Sequence, residues 1–387
     1  MEDLQAFLDQ QKQNHMYRQR RVVDGPQSVT LQIEGKRYLN FCSNDYLGLA
    51  NHPQIVDALI HGAKLYGAGS GASHLINGHS TAHHQLEEEL ADFVGRPRAL
   101  LFSTGYMANL GVISSLMYKG DAVFEDRWNH ASLLDGALLS QARLQRYQHN
   151  DIDDLKAKLS SSKANHKLIC TDGVFSMDGD IARVKDIASI AKESDAWFMV
   201  DDAHGLGVLG ATGRGTLEEQ GVGLNEVPIL VGTLGKGFGT FGAFVAGSEE
   251  LIESLIQRAR SYIYTTALPP AVAEATRVSL HLIQQETWRR DALQKNIRYF
   301  KQQLLEAGIA DTNSITPIQP IIIGDVEQTV LLSQKLNESG ILVSAIRPPT
   351  VPEGTARLRI TLCAEHDTDQ IDQLIDVIKA NLKQEGG

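Results

Sequence analysis

Residues 197–210 read WFMVDDAHGLGVLG, an apolar run followed by two acids, a histidine and a glycine-rich segment. Two folds compete for this stretch. GLGVLG (205–210) matches the glycine pattern of a dinucleotide-binding turn, in which the glycines come straight off a strand, open a helix and precede an acid by about 20 residues. Here DDAH intervenes and the continuation ATGRGTLEEQG reads more as loop than as helix, so an NAD-dependent dehydrogenase stands only as the runner-up. In the competing reading Asp201 and His204 emerge at the carboxyl end of a strand while Asp202 points to the other side. A carboxylate there could hold a heteroaromatic ring nitrogen protonated, and a histidine one short turn later could reach a phenolic oxygen on the same ring. A capped loop with a satisfied histidine is the plainer alternative.

Working outward, short apolar runs alternate with helix-length stretches: RALLF (98–102), DAVFE (121–125), KLICTDG (167–173), ILVGTLG (229–235) and GAFVAG (242–247). That alternation predicts an α/β domain on a mostly parallel sheet, with ligands at the carboxyl ends of the strands. After ALPPAV (267–272) come long helical stretches, then IQPIIIG (318–324), LVSAIRPP (342–349), RLRITL (357–362) and a last helix near 367–383, the texture of a smaller α+β C-terminal domain. We expect an N-terminal arm over 1–45, with a helix presenting Leu4, Phe7 and Leu8 and then two strands, a large domain over 46–280 and the C-terminal domain over 281–387.

Composition narrows the function. The 387 residues are 42% hydrophobic and 21% charged, with a formal net charge of −11, which fits a globular enzyme acting on small molecules and argues against a nucleic-acid binder. MEDLQAFLDQQKQNH has no apolar signal region and no run approaches a membrane span, so a cytoplasmic location is expected. Cys42, Cys170 and Cys363 lack paired spacing and are expected to be reduced and mostly buried.

Lys236, in GTLGKGFGT (232–240), is the only charged residue from Val227 to Ser248. Desolvation there would favour the free amine, a better nucleophile. A phosphate-binding P-loop is excluded, because Leu230 stands where that motif needs glycine and Gly237 where it needs Ser or Thr. A surface lysine on a glycine turn remains the alternative. FSTGYMANL (102–110) leaves a strand and enters a helix, so the amides of Gly105, Tyr106 and Met107 could seat a phosphate, helped by the hydroxyls of Thr233 and Thr266; alone it is a common strand–helix turn. His130 starts another helix, where Asn129 or Ser132 could cap, and its ring could equally stack on a flat cofactor. His79 and His83 are spaced i, i+4, but a third metal ligand is missing, so a structural or substrate-lining role is expected rather than a metal. Arg347 and Arg359 flank a proline-stiffened loop and could hold a carboxylate, or make surface ion pairs.

The order of these segments, with Asn-His-Ala-Ser (129–132), Asp-Gly-Val-Phe-Ser-Met-Asp-Gly (172–179), Asp-Asp-Ala-His-Gly (201–205), Thr-Leu-Gly-Lys (233–236) and Arg-Pro-Pro-Thr (347–350), resembles the α-oxoamine synthases over essentially the whole chain. These are pyridoxal 5'-phosphate acyltransferases of the aspartate-aminotransferase fold (fold type I), with a seven-stranded, mostly parallel sheet. The resemblance implies that Lys236 carries the cofactor as a Schiff base, Asp201 meets its ring nitrogen, His204 and Ser176 its phenolic oxygen, and His130 its ring face. Gly105, Tyr106 and Thr233 would hold the phosphate, with Thr266 reaching across a homodimer to the partner's. Arg359 would take the amino-acid carboxylate, Arg347 and Thr350 would lie on the adjoining loop, and Arg18, in a run with Arg20 and Arg21, would meet the acyl group. Within the family the likeness is greatest to members that join L-alanine to pimeloyl-CoA or pimeloyl-acyl carrier protein; members using glycine or serine are the alternative. One departure is His74, where many relatives carry an arginine.

Overall fold

A computed structural model describes residues 3–14, 16–310 and 312–382. Its centre is a seven-stranded sheet whose strands, in spatial order, are Arg98–Phe102, Ala243–Gly247, Ile229–Thr233, Trp197–Asp201, Lys167–Asp172, Ala122–Asp126 and Arg143–Tyr147. Only Ala243–Gly247 runs against its neighbours. Six of these strands are the apolar runs of the sequence. The seventh, RLQRY, is an edge strand and largely exposed, so it carries no apolar signature.

The strands are apolar on both faces because both are covered. Met199 and Val231 join one cluster with helix Gly105–Leu116, while Phe198, Val200 and Leu230 join another with helix Val184–Glu193, the period-2 alternation of a two-sided sheet. Covering both faces leaves only the strand ends open.

The C-terminal segment builds a three-stranded antiparallel sheet from Ile318–Gly324, Ala356–Thr361 and Ser344–Ile346, backed by helices that include Thr368–Leu382. The N-terminal strands Thr30–Ile33 and Lys36–Asn40 share a small sheet with Ile341–Leu342, so the two ends of the chain are joined. The segment that follows is stitched in the same way, Thr361 N donating to Phe41 O at 2.8 Å and Ala364 N to Tyr46 O at 2.9 Å. These bonds bring Tyr46 beside the strand that carries Arg359. The leading helix, Leu4–Gln13, buries none of its residues, and Leu4, Phe7 and Leu8 are exposed.

Candidate functional site

The loops leaving the carboxyl ends of five strands enclose a cavity of about 190 Å³. Asp172 and Asp201 end their strands, Thr233 ends another, Gly105 and Tyr106 open the helix after Arg98–Phe102, and His130 follows Ala122–Asp126. Lys236 enters from the turn between Ile229–Thr233 and Ala243–Gly247. Of the residues singled out in the sequence, Gly105, Tyr106, His130, Ser176, Asp201, His204, Thr233 and Lys236 all line this one cavity.

The turn bearing Lys236 is fixed by its glycines. Gly239 N donates to Lys236 O at 2.8 Å with φ at +67°, and a Cβ on Gly237 would stand 2.5 Å from the carbonyl oxygen of Leu206. Of the glycines of 205–210, Gly207 packs under the lysine turn against Gly237, while Gly205 and Gly210 make room for Asp202 and Glu218. Residues 202–215 make turns and open no helix, which overturns the dinucleotide reading. Asp202 is buried away from the cavity and receives Thr216 N at 2.7 Å and Thr216 Oγ1 at 2.5 Å, closing the loop.

Two hydrogen-bonded chains converge in the cavity. Lys236 Nζ lies 2.9 Å from His204 Nε2, His204 Nδ1 lies 2.5 Å from the Tyr46 hydroxyl, and that hydroxyl donates to Asn44 Oδ1 at 3.2 Å. Arg359 Nη2 donates to the same Asn44 oxygen at 3.2 Å. On the opposite side Asp201 Oδ2 receives Asn109 Nδ2 at 2.6 Å, Asn109 Nδ2 also reaches Ser132 Oγ at 2.8 Å, and Ser132 Oγ meets His130 Nδ1 at 2.7 Å. The second oxygen of Asp201 receives Ala203 N at 3.1 Å. Each functional side chain is thus oriented by another.

Burial sets the charges. It lowers the Lys236 ammonium, with Asp201 and then Asp172 pulling back the other way. His204 is held well below the usual histidine range by burial first, then by Lys236 and Arg359. His130 is lowered chiefly by burial, against Asp201. Asp172 is raised well above the usual carboxyl range by burial and by Asp201 beside it. The site therefore combines neutral imidazoles, a softened lysine and a carboxylate clamped by an amide.

Other expected residues stand elsewhere. Met107 N is taken by Thr104 Oγ1 at 3.2 Å, so it does not join the free amides of Gly105 and Tyr106. His130 itself, rather than Asn129 or Ser132, caps its helix, its Nδ1 accepting from Ser132 N at 3.3 Å. Arg359 is buried outside the lining, donating to Ser176 O at 2.6 Å and Thr361 Oγ1 at 3.0 Å as well as to Asn44. Arg18, Thr350 and Thr266 are exposed and also outside it. Arg347 Nη2 reaches Tyr17 O at 3.5 Å, the residue before Arg18, and the Arg347 guanidinium is lowered mostly by burial and next by the like charge of Arg18. The sequence reading did not single out Asn44, Tyr46, Asn109 and Asp172, and it weighed Ser132 only as a helix cap. Asn109 had a signal, a lone amide within the apolar helix GYMANLGVISSL. Tyr46 and Asn44 had none, since only the stitching of 41–46 to the C-terminal strand brings them in.

The class I and II aminotransferase family matches residues 36–378. An 8-amino-7-oxononanoate synthase of Methylococcus capsulatus is 60% identical over 383 residues, covering 99% of each chain, and one of Nitrosococcus oceani is 60% identical over 369 residues, covering 95% of this chain and 98% of its own. Among solved structures, a serine palmitoyltransferase of S. paucimobilis with a bound PLP–myriocin aldimine superposes with a TM-score of 0.93 at 33% identity, covering 99% of this chain and 97% of that one. An 8-amino-7-oxononanoate synthase of Francisella tularensis gives a TM-score of 0.79 at 36% identity, covering 90% and 98%.

Proposed function

Since the chain belongs to the class I and II aminotransferase family, we propose that it works as an 8-amino-7-oxononanoate synthase, a pyridoxal-phosphate enzyme that joins L-alanine to a pimeloyl thioester. Carbon dioxide and the free thiol leave, and the product is 8-amino-7-oxononanoate, on the way to biotin. The observation that carries the reading is the meeting of Lys236, Asp201, His204 and His130 in one cavity of a chain 60% identical to such synthases.

The residues present suit the cofactor. Lys236 is the one lysine in the lining, and buried Oδ1 atoms of Asp172 and Asn109, both lining residues, have no partner. A Cβ on Gly105 would crowd the Thr233 methyl at 2.7 Å, so the helix start must be glycine to lie this close to Thr233. Lys236 would hold the cofactor covalently, Asp201 its ring nitrogen, His204 and Ser176 its phenolic oxygen, and His130 its ring face. Gly105, Tyr106 and Thr233 would hold the phosphate at the helix N-terminus. When bound, pyridoxal phosphate supplies the electron sink that makes the α-carbon of alanine acidic and permits loss of CO2.

The chain's own groups do the rest. Once the amine of the incoming alanine has displaced it from the cofactor, the freed Lys236 amine, its ammonium disfavoured by burial, would accept the α-proton and later return one. His204 stays neutral, so it passes hydrogen-bond polarity from Lys236 to Tyr46 without adding charge. Arg359 would take the alanine carboxylate, giving up its 3.2 Å bond to Asn44, the longest of the three it makes. Arg347, which reaches the backbone of Tyr17 beside Arg18, would meet the acidic end of the acyl substrate together with Arg18, with Thr350 on the same loop as Arg347. The exposed Thr266 fits a site completed by a second copy of the chain. Among the described residues no helix is long and apolar enough to cross a membrane.

The test is release of free thiol from pimeloyl-CoA in the presence of L-alanine, glycine or L-serine. Release that needs L-alanine supports the reading; release driven best by glycine or serine overturns the substrate and would move the chain toward the other α-oxoamine synthases.

A further inference from the structure

The sequence offers His79 and His83 as a pair without a third ligand, and the fold supplies one. His74 opens the short helical turn His74–Gly78, His79 follows it, and His83 lies in the first turn of helix Thr81–Phe93. A ligand nitrogen from each lies within 4.8 Å of the other two, and the Nδ1 atoms of His74 and His79 are 2.9 Å apart. Nitrogens bound to one tetrahedral zinc at about 2.0–2.1 Å stand roughly 3.4 Å from one another, so the observed spacings bracket the separation an ion requires. The rings of His79 and His83 are inclined to that of His74 by 54° and 72°, while those two rings stack on each other at 5.7 Å and 27°.

One outer partner matches those of metal-bound imidazoles, which donate their second nitrogen to a carbonyl or carboxylate. His83 Nε2 donates to Leu268 O at 2.7 Å, leaving Nδ1 as the lone-pair nitrogen. His79 Nε2 faces Glu87 Oε2 at 3.9 Å. The arrangement carries a cost: His83 Nδ1 now meets Ser80 N and Ser80 Oγ, each at 3.0 Å, and His74 Nδ1 shares a hydrogen bond with His79 Nδ1, bonds worth about 1 kcal/mol each that coordination would replace.

We propose that His74, His79 and His83 form a binding site for a zinc-class transition-metal ion, separate from the Lys236 cavity. The ion would act as a staple. Leu268 O also receives Ser70 Oγ at 2.6 Å, Ala267 N donates to Ala72 O at 3.0 Å, and Ser73 pairs with Thr266, so the segment that presents Thr266 is held by residues 70–73, next to His74, and by His83. The site does not depend on which reaction the chain catalyses. A rival grouping, His79 with the exposed His84 and with Glu87, also falls within 4.8 Å and shares only His79 with the proposed site.

The experiment takes the full-length protein loaded with pyridoxal phosphate, strips adventitious metal with a chelator, and titrates cobalt(II) as the probe, read by its four-coordinate visible absorption, then displaces it with zinc. One equivalent bound at micromolar or tighter Kd, weakened at least tenfold in His74→Gln and in His79→Ala and unchanged in His84→Ala, supports the site. Absence of saturable one-to-one binding below about 0.1 mM, or equal binding by His79→Ala, overturns it, as does a loss in His84→Ala as large as that in His79→Ala. His79 is the least buried of the three and decides the matter if His74→Gln does not fold.

Discussion

Lys236 and Arg359 are joined through a single line of hydrogen bonds: Lys236 Nζ to His204 at 2.9 Å, His204 to Tyr46 at 2.5 Å, and Tyr46 and Arg359 Nη2 both to Asn44 Oδ1 at 3.2 Å. The amine proposed to move the proton and the guanidinium proposed to hold the substrate carboxylate are thus linked side chain to side chain. Tyr46 is the fully buried link. Tyr46→Phe removes its hydroxyl and leaves His204 Nδ1 unpaired, so we expect a loss of about 1–3 kcal/mol in urea unfolding together with a lower kcat for thiol release. An unchanged unfolding midpoint and unchanged kcat would remove this line from the mechanism.

Asp201 is positioned by Asn109 Nδ2 at 2.6 Å and Ala203 N at 3.1 Å. Asp201→Asn keeps the volume and loses the charge that would hold a ring nitrogen protonated. Cofactor binding is expected to persist while exchange of the α-proton of L-alanine in D2O slows by about a hundredfold or more, the size of a lost charge-assisted contact in a dry site. Exchange at the wild-type rate would contradict the assigned role.

The lysine turn separates two glycines that look alike in the sequence. A Cβ at Gly237 would meet Leu206 O at 2.5 Å, whereas at Gly235 the nearest atom is Thr240 O at 3.6 Å. Gly237→Ala should therefore shift the turn, costing roughly 1–3 kcal/mol and at least tenfold in kcat, while Gly235→Ala stays within about 1 kcal/mol of wild type. Equal behaviour of the two variants in unfolding and turnover assays would contradict this account of the turn.

The parallel sheet was legible because its inner strands are apolar on both faces, and the strand-end loops were legible because Asp201, His204 and Lys236 stand at the ends of such runs. Arg143–Tyr147 escaped notice for the opposite reason, being a polar edge strand. Asn44 and Tyr46 escaped because their place depends on pairing across more than 300 residues, which no local pattern records. His74 escaped for a different reason: His79 and His83 are near it in sequence but meet it only through the helical turn His74–Gly78, which pairs His74 with His79 five residues on, a spacing the i, i+4 pattern does not record.

His149 supplies a pH dependence. Its Nδ1 lies 3.0 Å from Asp126 and its Nε2 2.8 Å from Asp180, and its ring stacks on Trp128 at 3.7 Å. Burial opposes its charge, but the bonds to the two carboxylates outweigh that and hold it up at about 9. A folded pKa raised above the unfolded value of about 6.5 stabilises fully below that value and fades as pH rises through about 9. The destabilisation caused by His149→Gln, about 2 kcal/mol at pH 6, should therefore shrink markedly by pH 10 in denaturant unfolding. A difference independent of pH would show that His149 is not held as the cation.

The central claim is that Lys236 is the residue that carries pyridoxal phosphate. Borohydride reduction of the cofactor-loaded protein, followed by peptide mass mapping, tests it most directly. We expect the phosphopyridoxyl group on Lys236 alone and its disappearance in Lys236→Ala; a group fixed to another lysine, or none fixed to the wild-type chain, would contradict the account.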